Sequence, residues 1–270
     1  AYLLTRWKNV LLGIFMFNLA RKKPAGFKQR LLEMVQDEMG ADVDMTHYTP
    51  SYNPWDQRLC LVPDSDLFAS IKSGKASIVT DQVEKFTRDG IKLKSGKMIK
   101  ADIIVTATGL KMLTGGSAKI SVDGQPVNFG EKINYKGVMF SGIPNFGMTM
   151  GYTNASWTLK ADLTSEYVCR LVNYMDKNGT PIATPTLPVG ETMGTEPMLD
   201  FSSGYVQRAI KDLPKQGDRK PWRLNQNYPK DIINLRHKAV NDGVIVFSRP
   251  SAGAARLPEQ PAEAEAIAAE

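Results

Sequence analysis

One arginine in a short irregular stretch, Tyr52-Asn53-Pro54-Trp55-Asp56-Gln57-Arg58-Leu59-Cys60, is the first candidate for chemistry. A guanidinium stays charged at any working pH and presents a fixed fork of donors, so Arg58 could stabilise an oxyanion. The residues alone favour a plainer role, a surface ion pair with Asp56 or Asp64. A second candidate is Thr153-Asn154-Ala155, which opens a helical pattern. A helix N-terminus carries unpaired N–H groups and partial positive charge; an ordinary Asn cap is compatible with the same residues. A third is Ala107-Thr108-Gly109, at the end of the apolar run Asp102-Ile103-Ile104-Val105. Glycine there permits close backbone approach to a cofactor or a strand, or merely an unusual backbone angle. Trp157 could wall a pocket, although a tryptophan in a first helical turn is more often core. Trp222 and Arg223 could border a channel, and Lys160, Asp162 and Cys169 are given no chemistry.

Composition removes several other classes. The 270 residues are 42% hydrophobic and 23% charged, ordinary for a globular protein. Cys60 and Cys169 stand far apart with no histidine near either, which is neither a disulfide framework nor a zinc set and fits a reducing, cytoplasmic setting. His47 and His237 are the only histidines, so a histidine-rich metal site is excluded. No Gly-x-Ser-x-Gly elbow supports a serine hydrolase. The net charge of +6 is uneven: residues 1–30 carry seven cations and no acid. Without a nucleic-acid fingerprint, this reads as the solvated faces of amphipathic helices rather than a nucleic-acid site. The apolar run Val10–Ala20 is flanked by basic residues but is shorter than the roughly 20 residues a bilayer core requires. It permits a peripheral membrane contact at most.

These candidates must be carried by a series of short elements. Helices are expected at 1–22 and 25–39, broken at Pro24 and closed by Gly40. A short strand at 59–62, a helix from Pro63 to Ile71 and a buried strand at 76–80 follow. Asp89-Gly90 and Ser95-Gly96 predict a meander over 83–88, 91–94 and 97–100. The unbroken apolar run 102–109 suits a strand covered on both faces of a parallel sheet. More strands are expected in 117–141, with a turn at Asp123-Gly124, and another at 146–151. Leu159, Leu163, Val168, Leu171 and Met175 hold helical spacing up to Asn178-Gly179. A linker at 180–200 precedes helices near 205–213 and 230–238 and a strand at 244–247. The Ala-, Glu- and Pro-rich tail 251–270 is expected to be disordered.

Four segments carry a resemblance: Tyr52–Pro63 (YNPWDQRLCLVP), Ala101–Leu110 (ADIIVTATGL), Gly142–Val168 (GIPNFGMTMGYTNASWTLKADLTSEYV) and Leu213–Tyr228 (LPKQGDRKPWRLNQNY). Together they resemble the Baeyer–Villiger branch of the flavin-containing monooxygenases, most closely the bacterial ethionamide-activating type. Members are roughly twice this length and hold FAD and NADPH in two doubly wound domains, each opening on a Gly-x-Gly-x-x-Gly turn. This sequence has neither turn. The resemblance therefore implies an α/β fold, a partial two-dinucleotide-binding-domain, Rossmann-like flavoprotein with a β-meander and without the N-terminal FAD half. Residues 1–109 would finish the NADPH domain with a helical insertion, and 110–250 would complete the FAD domain.

The activity implied is insertion of one oxygen atom from O2 into ketones, or onto sulfur or nitrogen of thioethers and thioamides. In that setting Arg58 matches the catalytic arginine that stabilises the anionic oxygen species. Gln57 sits where relatives often place a lysine against the NADPH 2′-phosphate, and Ala107, Thr108 and Gly109 mark the crossover between domains. Thr153, Asn154 and Ala155 would face the electron-rich edge of the flavin. The chain by itself is expected to be inactive. The alternatives are a non-catalytic truncated remnant and, ranked last because no Cys-x-x-Cys pair is present, a flavoprotein disulfide reductase relative.

Overall fold

The computed structural model describes residues 1–60, 62–190 and 192–250, without the side chains of Pro63 and Ser117. The tail 251–270 and Leu61 of the expected strand at 59–62 lie outside the described residues; the rest of that segment forms no strand.

Two helices open the chain, α1 (Tyr2–Lys22) and α2 (Pro24–Met39), divided at Lys23 as Pro24 requires. Proline tolerates the first helical position because its missing N–H has no partner there anyway. Gly40, at φ 103°, ends α2. Trp7 and Val10 of α1 pack on the main core, whereas Leu3, Leu4, Leu11, Leu12 and Phe15 are exposed. No helix among the described residues is long and apolar enough to cross a membrane. A short helix α3 (Asp66–Lys72) stops before Gly74, whose φ is 73°.

The expected meander forms: β1 (Val83–Thr87), β2 (Gly90–Leu93) and β3 (Met98–Lys100) pair antiparallel in that order. Gly90 is required here, because a Cβ would lie 1.9 Å from the Ile99 carbonyl oxygen. Two other expected strands do not form. Residues 76–80 are irregular, and the run 102–109 is irregular and exposed, with Ile103 at 83% and Val105 at 85%. A β-strand needs neighbours to take its N–H and C=O groups, and no named strand pairs with either segment. No two named strands pair in parallel, so the doubly wound sheet is not seen among the described residues.

The remainder is built around one long helix, α4 (Trp157–Asn178), ended by Gly179 in the left-handed conformation. Around it lie two tight hairpins, β4 (Ser121–Val122) with β5 (Gln125–Pro126), and β6 (Asn134–Tyr135) with β7 (Met139–Phe140). The segment 146–151, expected as a strand, is irregular. The expected linker 180–200 contains two strands instead: β8 (Ile182–Pro185) and β9 (Thr195–Pro197). They are recruited by distant partners, β11 (Ile245–Ser248) and β10 (Lys215–Gly217), a pairing that local composition cannot reveal. Helices α5 (Gly204–Ala209) and α6 (Tyr228–Asp231) complete the set, the latter running into a π-helical segment at Ile232–His237.

The main core gathers Tyr135, Met139, Leu163, Tyr167, Trp222 and Leu235, among others, from β6, β7, α4 and the 222–245 region. A second, smaller cluster joins Phe129, Phe140 and Ile143. Burying each such side chain contributes on the order of 1.5–3 kcal/mol, which is what fixes α4 against the C-terminal elements.

Candidate functional site

The approach to α4 is held by one glutamine. Gln226 Oε1 accepts from the Thr153 backbone N–H (3.0 Å) and from Thr153 Oγ1 (3.2 Å). Asn154 Nδ2 donates to the Gln226 carbonyl at 3.1 Å. Gln226 itself has φ 46°, a left-handed conformation that costs a non-glycine residue on the order of 1–3 kcal/mol and is held here by these bonds. The helix begins later than the sequence suggests: Thr153–Ala155 form a bend outside it and Ser156 is the N-cap, without a side-chain cap bond. Trp157 is half exposed rather than core, its indole lying over Gly151, where a Cβ would come within 2.2 Å of the ring.

This helix start lines a cavity of about 410 Å³ whose opposite wall is α1. Asn154, Gln226 and Arg6 give it polar character, while Ile14, Ala155 and Leu159 are apolar. Arg6 is fixed by donating to the Tyr228 hydroxyl at 3.2 Å. A cavity of this size and mixed lining can take a small, partly apolar group with negative charge placed toward the positive helix end.

Behind the site lies a buried ion pair that sequence reasoning passed over. Lys160, 2% exposed, meets Asp231 at 2.8 Å and donates to the Lys136 carbonyl at 3.0 Å. Asp231 also accepts from the Tyr152 hydroxyl (2.8 Å) and from Asn225 Nδ2 (2.6 Å). Burial pushes the Lys160 ammonium below its ordinary value, and Asp231 opposes that shift. Gly137 lies against the same group; a Cβ there would sit 2.9 Å from Lys160 Nζ. A signal was present, since Lys160 is in helical phase with Leu163, Tyr167 and Leu171 on the buried face. A lysine on that face needs a buried carboxylate. Gln226 lies within the recognised 213–228 segment, but nothing local indicates that it reaches Thr153. Trp222, offered as a channel residue, is 2% exposed and belongs to the core.

The other sequence candidates lie elsewhere. Arg58 is exposed, with no side-chain hydrogen bond or ion pair among the described residues, and it does not line the cavity at the start of α4. The expected partner Asp56 pairs instead with Arg21 at 2.9 Å. Gln57 is half-buried in the same turn, which Phe17 of α1 also holds by an edge contact to Trp55 at 5.3 Å. Ala107 and Thr108 are exposed, and Gly109, at φ 112°, leaves room for Arg208, whose guanidinium would be 3.3 Å from a Cβ. The structure thus brings Asn154 and Ala155 to one cavity, with Thr153 held beside it. Arg58, Gln57 and the 107–109 segment do not line it.

Helical, antiparallel-β and irregular elements define a mixed α/β protein with a helix N-terminus beside a cavity. Sequence comparison then supplies the relatives. The chain is 48% identical over 250 residues to the FAD-containing monooxygenase EthA of Mycobacterium tuberculosis, covering 92% of this chain and 51% of that protein. It is 47% identical over 250 residues to EthA of Mycolicibacterium smegmatis, with the same coverage of 92% and 51%. A protein named "Probable FAD-binding monooxygenase AlmA" from Acinetobacter baylyi matches at 47% over 249 residues, 92% of this chain and 50% of that one. The chain is a homologue of the FAD-containing monooxygenases, and it spans about half the length of the curated relatives it matches. No protein-family model matches it.

Proposed function

We propose that this chain is the part of an FAD- and NADPH-dependent monooxygenase that completes both cofactor domains, residues 1–109 on the NADPH side and 110–250 on the FAD side. The reaction is oxygen insertion into ketones of the Baeyer–Villiger type, or oxygenation of sulfur or nitrogen in thioethers and thioamides. The observation that carries this reading is the helix start at Ser156 with the Gln226-clamped Thr153–Ala155 segment beside a 410 Å³ cavity, in a chain homologous to FAD-containing monooxygenases.

The residues present fit one end of the cofactor. The cavity is apolar along Val10, Ile14 and Leu159 and polar at Arg6, Asn154 and Gln226, which suits a flat ring with one electron-rich edge. They do not fit its ADP end, since the 270 residues contain no Gly-x-Gly-x-x-Gly turn. When bound, FAD supplies the redox chemistry, taking electrons from NADPH and delivering them to O2. Thr153, Asn154 and Ala155 orient the ring edge, and the α4 N-terminus stabilises negative charge that collects there. Gln226 keeps those three residues in place. Arg58 does not line this cavity, and its role as the permanent cation for the oxygen anion rests on the resemblance of its segment; its guanidinium is uncommitted among the described residues. Gln57 is neutral and gives no charge to a 2′-phosphate.

The test uses a full-length protein carrying this sequence after the other half of an EthA relative. It should bind flavin and oxygenate a ketone or thioether at the expense of NADPH. Arg58→Ala should keep flavin reduction by NADPH and lose about a hundred- to a thousandfold in oxygenation. Unchanged ketone oxidation by that variant would remove Arg58 from the mechanism. The 270-residue chain by itself should be colourless; stoichiometric bound flavin would overturn the division of the cofactor site between halves.

A further inference from the structure

A second cavity, of about 480 Å³, is walled in part by Asp231 of the buried Lys160–Asp231 pair and shares no lining residue with the first. Five cations line it: Lys136, Lys220, Arg223, Lys230 and Lys238. The two carboxylates in its wall, Asp231 and Asp242, are already satisfied from beneath. Asp231 is held by Lys160, Tyr152 and Asn225. Asp242 takes the Tyr135 hydroxyl at 2.7 Å, Lys136 at 2.7 Å and the Val244 N–H at 3.1 Å. Each carboxylate is therefore cancelled by one buried ammonium, and the remaining cations are left in excess.

Their partners are weak or missing. Arg223 reaches Glu196 at 3.3 Å, an exposed pair. Among the described residues Lys220 donates only to neutral acceptors, the Arg223 carbonyl (3.0 Å) and the side-chain oxygen of Asn225. The ammonium groups of Lys230 and Lys238 have no hydrogen bond or ion pair among the described residues, and both side chains are exposed. Burial and then the charges of Lys230 and Arg223 push Lys220 below its ordinary value, although Asp231 opposes them, so these cations are near enough to repel one another. Pro221, Ile233 and Val244 supply apolar wall, which strengthens any charge pairing made inside.

We infer that this basic cavity is a binding site for the phosphate or pyrophosphate group of a small molecule, separate from the cavity at the start of α4. Converging ammonium groups on a concave, partly apolar surface match the several oxygens and high charge of such an anion. An anion there would also relieve the repulsion among Lys220, Arg223 and Lys230.

The experiment is calorimetric titration of the 270-residue chain with inorganic pyrophosphate and, separately, with ADP, at low ionic strength. Saturable one-site binding is expected. The double variant Lys230→Gln/Lys238→Gln should weaken pyrophosphate binding by about tenfold or more, the loss expected for two charge-assisted hydrogen bonds. Neither side chain has a partner among the described residues, so this variant should keep the circular dichroism of the parent. Lys85→Gln/Lys97→Gln, which removes the same charge from the exposed meander, should change affinity less than twofold. Equal affinity for ADP and pyrophosphate means that the phosphates alone are read; tighter ADP means that an attached nucleoside is read too, and either supports the site. The inference is overturned by absence of saturable binding, by an equal loss in the meander control, or by pyrophosphate affinity that survives Lys230→Gln/Lys238→Gln.

Discussion

Residues 1–113 and residues 120–248 use the same kinds of amino acid in opposite ways. Among the described residues of the first region only Ala20, Phe27 and Leu93 belong to the buried apolar set, while Leu11, Phe15, Phe86, Ile103, Val105 and Leu110 stand in solvent. In the second, Tyr135, Tyr152, Leu163, Tyr167, Trp222 and Leu235 are almost fully enclosed. Ion pairs differ too: the second region has exposed pairs such as Arg223–Glu196, but it also has internal ones. The pairs Arg21–Asp56, Lys72–Glu38 and Lys92–Glu84 of the first region are exposed, whereas Lys160–Asp231 and Lys136–Asp242 are taken out of water. Apolar surface without a covering layer contributes little stability, and exposed ion pairs do not replace it. Stability in this chain is therefore concentrated around α4 and the elements packed on it.

That contrast can be broken by substitution. Asp231→Ala leaves a buried ammonium without its partner and should cost about 3–5 kcal/mol, read from the urea midpoint by circular dichroism. Adding Lys160→Met should restore part of the loss; an Asp231→Ala protein as stable as the parent would refute the claim that this pair is internal. Acid provides a second, smaller lever. Burial alone would raise the Asp242 carboxyl, but hydrogen bonds from Lys136 and Tyr135 and the Lys136 charge outweigh it and hold the group below its ordinary value. A carboxyl lowered in the folded state stabilises above its unfolded value, about 3.9, and that contribution disappears as pH falls through the folded value. The midpoint of Asp242→Asn should therefore lose less than that of the parent between neutrality and about pH 3. Parallel curves for the two proteins would assign the acid loss to other carboxylates. The smallest effect belongs to the first region: Asp56→Ala, which frees Arg21, should shift stability by less than about 1 kcal/mol. A loss comparable to that of Asp231→Ala would erase the distinction between regions.

Much of the local structure was legible. Pro24, Gly40 and the Asn178-Gly179 pair ended helices where they should, because each limits the backbone regardless of surroundings. The Asp89-Gly90 turn likewise produced the meander, since Gly90 alone fits against the Ile99 carbonyl. The run 102–109 misled because an apolar sequence states that a strand would be buried, not that neighbours exist to bury it. The strands at 182–185 and 195–197 were missed for the converse reason, as Ile182 and Thr195 take their conformation from residues near 248 and 217. At the candidate site Asn154 and Ala155 were readable as a helix approach. Gln226 was not, being 72 residues from Asn154 and joined to it only by folding.

The sequence by itself determined where the backbone turns, which helix face is apolar, and the likeness to the monooxygenases, since these depend on residue type and order along the chain. Only the tertiary structure decided that Gln226 clamps the start of α4, that Lys160 is internal and paired with Asp231, and that five cations share one cavity. Those facts depend on distances between residues remote in sequence, and such distances are set when the core around α4 closes.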